Sequence, residues 1–206
     1  MSTLAHPANP HHAEDPDVVG DRQKLGVILL IVGDVAFLLS LVFTYLYLRG
    51  LNTEGAWIPS DFTWPVASAG FGWVIAAVVA LSWVSYRWAQ SEPADDARLT
   101  LGLLIATLLL VVDLVLQVAQ MVSVGFRVDD GAYASSWMAL SGYHAFHLLL
   151  TLFIGIGVWN RARLGKFATN RWHVRLVGYW WTWVVVSAVI TATTTSFTAA
   201  GQHLGT

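Results

Sequence analysis

The 206-residue chain is 56% hydrophobic and 12% charged, with a formal net charge of -2, 11 Trp and no Cys. An ordinary soluble domain carries about 25% charged residues, so this composition and its positive mean hydropathy exclude a typical water-soluble globule. Lack of cysteine excludes disulfides, thiolate metal sites, iron–sulfur ligation and a cysteine nucleophile.

Residues 1–24 are polar and hold Pro7, Pro10, Pro16, Glu14, Asp15 and Asp17. They lack the short apolar core of a secretory signal and are expected to form a disordered cytoplasmic tail. His6, His11 and His12 could bind a metal weakly there, although a disordered tail fits this composition better. Five apolar stretches follow, at Leu25–Leu48, Trp64–Trp88, Leu99–Val124, Trp137–Trp159 and Leu176–Ala199. At about 1.5 Å rise per residue each exceeds a hydrocarbon core of roughly 30 Å, so each is predicted to span with some tilt.

The expected fold is therefore all-α: a polytopic membrane bundle over residues 25–200, five transmembrane helices, and a short external C-terminus at 201–206. The breaks, from Gly50 to Asp61, Ser91 to Asp96, Asp129 to Gly131 and Arg161 to Arg175, are too short for a soluble domain. Orientation follows from the basic residues. Arg22, Lys24, Arg87, Arg98, Arg161, Arg163, Lys166, Arg171 and Arg175 share one side, against Arg49 and Arg127 on the other. Nine against two predicts a cytoplasmic N-terminus and an external C-terminus. Trp57, Trp64 and Trp137 then fall at the outer boundary and Trp88, Trp159 and Trp172 near the inner one, as interfacial anchors do.

Ionisable groups inside such spans are costly and point to function by default. Asp34 lies near the middle of the first span, where it must be protonated or paired. His144 and His147 are three residues apart and project from nearly one face of the fourth span, which makes either a candidate partner. No other span contains a histidine, so bis-histidine haem ligation within the chain lacks a second helix; interhelical hydrogen bonding is the better reading. Asp113, Gln117 and Gln120 form an i, i+4, i+7 polar stripe on the third span, expected to face other helices. Thr191, Thr193, Thr194, Thr195 and Thr198 can return their hydroxyls to carbonyls one turn back. Ala69, Gly70, Gly72, Ala76, Ala77 and Ala80 allow close helix approach in the second span. Nothing resembles a phosphate loop, a nucleophile triad or a nucleic-acid patch, and no internal repeat supports an inverted-repeat transporter.

Gly142-Tyr143-His144-Ala145-Phe146-His147 resembles the Gly-Phe-His-Gly-Leu-His segment of subunit III of the haem–copper respiratory oxidases. Val32-Gly33-Asp34-Val35-Ala36-Phe37 is similar to that family's Ser-Glu-Val-x-Phe segment, with Asp34 standing where the family has a buried glutamate. Arg49, Gly55-Ala56-Trp57-Ile58-Pro59, Lys166-Phe167 and Tyr179-Trp180 extend the likeness, which covers roughly residues 25–199. The chain departs from the pattern at Gln117-Val118-Ala119-Gln120, which lacks the acid of the family's Gln-x-x-Glu. It departs again at Tyr179-Trp180-Trp181-Thr182-Trp183-Val184, which loses a His and an Asp.

The resemblance implies an accessory subunit without a redox centre, in a prokaryotic plasma membrane and of the five-helix bacterial form. Haem and copper would reside in partner subunits I and II, which reduce oxygen with electrons from cytochrome c or quinol and translocate protons in aerobic respiration. Asp34, His144 and His147 become candidates for proton uptake or for a cleft that binds phospholipid. The departures leave room for a nitric oxide reductase in place of an oxidase. From the residues alone, a small proton-coupled transporter using Asp34, Asp113 and the histidine pair is a further alternative.

Overall fold

The computed structural model describes residues 16–52, 57–58, 63–91, 96–167 and 171–201, and they contain five helices and no strand. These are α1 (Pro16–Leu51), α2 (Ala69–Gln90), α3 (Asp96–Ser123), α4 (Ala132–Arg163) and α5 (Trp172–Gly201). All five contain a stretch long and apolar enough to cross a membrane. The chain is an all-α polytopic membrane protein, as its hydropathy predicts. Most of the expected tail, the residues Gly55, Ala56 and Pro59 between the first two helices, the linker Glu92–Asp95 and residues 202–206 lie outside the described residues.

The helices overrun the apolar stretches because helical hydrogen bonding continues through the interface after hydrophobicity stops. The largest difference is in α1, which begins at Pro16, so residues 16–24 are helical where a tail is expected. Gly20 explains part of this: a Cβ there would sit 2.7 Å from Trp172 Cε2, so the extension packs its backbone against the start of α5. The second span instead starts late. Pro65 and its neighbours stay non-helical, and Ser68 caps α2 by accepting a hydrogen bond from the Phe71 amide at 3.3 Å. His173, expected in a loop, lies in the first turn of α5.

Helices α2, α3, α4 and α5 close into a four-membered ring in which α2 meets α3 and α5, and α4 meets the same two. Helix α1 lies outside this ring and touches only α4 and α5. Its sequence neighbour α2 is not its spatial neighbour. Gly20, Leu38 and Tyr45 are its only buried residues among those described, so α1 is held by a narrow contact.

The ring is tightened by small residues and by polar groups, as expected where lipid supplies no hydrophobic drive between helices. A Cβ at Gly102 would come within 2.6 Å of the Ala89 Cβ, which marks the tightest α2–α3 approach. Ser82 Oγ donates to the Ala106 carbonyl at 2.8 Å, Ser85 Oγ donates to the Gly102 carbonyl at 3.0 Å, and Trp181 Nε1 donates to Ser82 Oγ at 3.1 Å. Tyr86 Oη and Gln90 Nε2 both donate to the Val174 carbonyl, at 2.7 and 2.6 Å, and fix α2 to α5. At the end of the bundle where α1 stops and α4 begins, Trp57 and Trp137 are buried and not lipid-facing. They join Tyr45, Phe126 and Tyr133 in an edge-to-face aromatic cap. Trp64 and Trp88 do present exposed rings.

Candidate functional site

Three helices bring Asp34 into a polar knot. α1 contributes Asp34, α4 contributes Tyr143, His147 and Thr151 on successive turns, and α5 contributes Trp180 and Trp183 from one face. Asp34 Oδ2 accepts from Trp183 Nε1 at 2.5 Å and from Tyr143 Oη at 2.7 Å. His147 Nε2 lies 3.1 Å from Oδ1 and 3.0 Å from Oδ2. Of the two candidate partners, the structure selects His147.

The remaining contacts orient that histidine. His147 Nδ1 is 2.7 Å from the Tyr143 carbonyl, which can only accept, so Nδ1 carries a hydrogen and donates. The ring is flanked by Tyr143 and Trp180, with centroids 4.1 and 5.6 Å away. Trp180 Nε1 donates to Thr151 Oγ1 at 3.0 Å, and Thr151 Oγ1 donates to the His147 carbonyl at 2.6 Å. With Nδ1 already protonated, the contact between Nε2 and the carboxyl is attractive only if one proton lies between them. Imidazolium with carboxylate, or imidazole with carboxylic acid, both satisfy this and both leave the pair neutral. A neutral pair is what a low-dielectric setting favours. A carboxylate in mid-membrane costs about 2.5–3.5 kcal/mol, and three interhelical hydrogen bonds at about 0.6–2 kcal/mol each offset it.

The knot opens on one side. Asp34 keeps 12% of its side-chain surface exposed, toward a cleft of about 410 Å³ between α1 and α4 lined by Leu30, Phe37, Phe146 and Leu150. A second cleft of about 420 Å³ shares Leu30, Leu150 and Trp180 with the first and continues to His173 and Arg161. Together they form an apolar groove with a basic residue at one end.

His144 does not join this site. It is 1% exposed, and neither ring nitrogen has a hydrogen-bond partner among the described residues. Asp113, Gln117 and Gln120 are likewise buried in the ring, at 0, 3 and 7% exposure. Gln120 Nε2 donates to the Ser68 carbonyl at 3.3 Å, and both Asp113 oxygens lack a partner among the described residues. Among the described residues, no group of three or more histidine, aspartate or glutamate side chains is placed to hold a metal.

Sequence reasoning missed Tyr143, Thr151, Trp180 and Trp183 as parts of the site. A signal existed in their spacing, since Tyr143, His147 and Thr151 follow i, i+4, i+8 and Trp180 and Trp183 are three apart. Trp183 stands in the segment where the resembled family's His and Asp are absent, and it supplies a donor to the carboxylate.

The sequence matches the family model described as cytochrome c oxidase subunit III over residues 9–192. It is 24% identical over 185 residues to cytochrome c oxidase subunit 3 of Rattus norvegicus, covering 87% of this chain and 69% of that protein. It is 25% identical over 172 residues to the Pongo pygmaeus protein of the same name, covering 81% and 65%. A match of this extent, on a bundle whose first helix carries a part-buried carboxyl group bonded to the fourth, places the chain in the cytochrome c oxidase subunit III family.

Proposed function

We propose that this chain is the accessory, non-redox subunit III of a haem–copper oxidase in a prokaryotic plasma membrane. Its N-terminus is cytoplasmic and its C-terminus external, following the nine-to-two distribution of basic residues. Haem and copper belong to partner subunits I and II, which carry out oxygen reduction and proton translocation in aerobic respiration. Cytochrome c is the favoured electron donor, because the relatives are named as subunits of cytochrome c oxidase.

Asp34 and His147 are assigned to proton uptake. The observation that carries this is the single proton their contact requires, held at a carboxylate that borders an open cleft. A pair of this kind can take a proton from one side and release it to another without exposing a net charge to lipid. The groove along α1 and α4 is apolar enough for a phospholipid acyl chain, and Arg161, which lines it, offers a cation for the phosphate. Nothing in the geometry favours a nitric oxide reductase or a free-standing transporter.

The test is turnover of the purified complex carrying Asp34→Asn, measured as a function of pH. The variant is expected to assemble with its full haem content and to lose rate modestly, most at alkaline pH where protons are scarce. Wild-type turnover across the whole range would overturn the proton-uptake role.

A further inference from the structure

A second polar site, which His144 lines, lies inside the ring formed by α2, α3, α4 and α5. A cavity of about 20 Å³ is bounded there by Gly72, Gln117, Trp137, His144 and Thr191, among others. Roughly 10–15 Å³ is enough to hold one water. Four polar atoms on its lining residues have no hydrogen-bond partner among the described residues: Gln117 Nε2, His144 Nδ1 and Nε2, and Thr191 Oγ1. The three residues come from three helices and are 3, 1 and 8% exposed, so bulk solvent does not satisfy them. Native interiors rarely leave such atoms unpaired, and each one left so carries a desolvation penalty.

Thr191 sharpens the point. Its neighbours Thr193, Thr194 and Thr195 return their hydroxyls to carbonyls one turn back, at 2.7, 2.8 and 2.9 Å. The Thr191 hydroxyl has no such partner among the described residues, and Thr191 lines the cavity together with Gln117 and His144.

We propose that one internal water binds in this cavity and joins His144 of α4 to Gln117 of α3 and Thr191 of α5. The mixed character of the site selects water over an ion or an apolar gas. Gln117 Nε2 is a donor, neutral imidazole offers one donor and one acceptor, and a hydroxyl offers both. A water, with two hydrogens and two lone pairs, matches this set; a bare cation would face the Gln117 N–H group, and an apolar molecule would satisfy none of the four atoms. α4 thereby carries a histidine for each of two polar sites, His147 toward Asp34 and His144 toward the water.

The direct test is an experimental density map, at a resolution that shows ordered water, of the chain in the complex that copurifies from its native membrane. The expected result is a water-sized peak within about 2.7–3.2 Å of a His144 ring nitrogen, Gln117 Nε2 and Thr191 Oγ1. An empty cavity would overturn the proposal, as would Gln117 turned onto Asp113 with His144 bonded directly to a side chain. Gly72→Ala supplies an independent check, because a Cβ at Gly72 would meet only Thr195 Oγ1, at 4.0 Å, and so adds a methyl without a clash. In a dry cavity that methyl adds contacts and raises Tm at least as far as Gly26→Ala, an exposed helical control with nothing within 4 Å of its added Cβ. If water is present, the methyl displaces it, and Gly72→Ala melts below both wild type and the control. A Gly72→Ala melt at or above the control overturns the proposal.

Discussion

Replacing Asp34 tests how α1 is held to the ring. Leucine shares the branching of aspartate, with bulkier methyls in place of the oxygens, but accepts no hydrogen bond, so Asp34→Leu leaves Trp183 Nε1, Tyr143 Oη and His147 Nε2 without the carboxyl group that pairs them. Each buried orphan costs about 1–3 kcal/mol, and relaxation toward the open cleft recovers part of it. The net expectation is on the order of 3–5 kcal/mol. Asparagine keeps a carbonyl oxygen for Trp183 and Tyr143 and turns an amide N–H toward the lone pair of neutral His147. Asp34→Asn therefore exchanges charge-assisted bonds for neutral ones at about 1 kcal/mol. Because the chain has no cysteine, a single Leu38→Cys provides a reporter on α1 at a position that is 0% exposed. Maleimide labelling of that thiol is expected to stay slow with Asp34→Asn and to accelerate strongly with Asp34→Leu. Equal labelling rates in the two variants would refute the reasoning, because geometry would then count for nothing against charge.

Trp183→Phe keeps the ring and removes one donor to Asp34; we expect a loss of about 1–2 kcal/mol in thermal melts. Combined with Asp34→Leu it should cost little more, since the shared bond is already gone. Tyr86→Phe should cost less than about 1 kcal/mol, because Gln90 Nε2 still donates to the Val174 carbonyl; Tyr86→Phe with Gln90→Leu should exceed the sum of the single changes. Gly102→Val should lower the yield of folded protein and Tm, since even a Cβ there would sit 2.6 Å from the Ala89 Cβ, and overpacking costs about 1–3 kcal/mol. His144→Ala should lower Tm and leave the haem absorption spectrum of the complex unchanged, because His144 faces the interior of the ring.

The five spans were legible because bilayer thickness imposes a length on apolar runs, and no tertiary detail can hide a stretch of that size. Their packing order was not. Hydropathy says nothing about which helix neighbours which, and α1 lies against α4 and α5 and away from α2. The pairing of Asp34 with a histidine of α4 followed from the cost of a buried charge, but the choice between His144 and His147 needed the rotation of α4. Trp183 and Tyr143 were invisible as site residues because amphipathic aromatics in a membrane protein read first as interfacial anchors; here they serve as donors at mid-helix. Trp57 and Trp137 show the same ambiguity in reverse, since boundary positions placed them in a buried aromatic cap. The extension of α1 to Pro16 depended on a contact between Gly20 and Trp172, distant in sequence and without a local signature.

The central claim is that this chain works as a colourless member of a haem–copper assembly. It is tested most directly by purifying the tagged full chain from its native membrane in mild detergent, then recording the visible spectrum and the masses of the copurifying proteins. The account predicts haem bands and a large multispan partner, with oxygen consumption driven by reduced cytochrome c. A pure, colourless chain without a redox partner would contradict it.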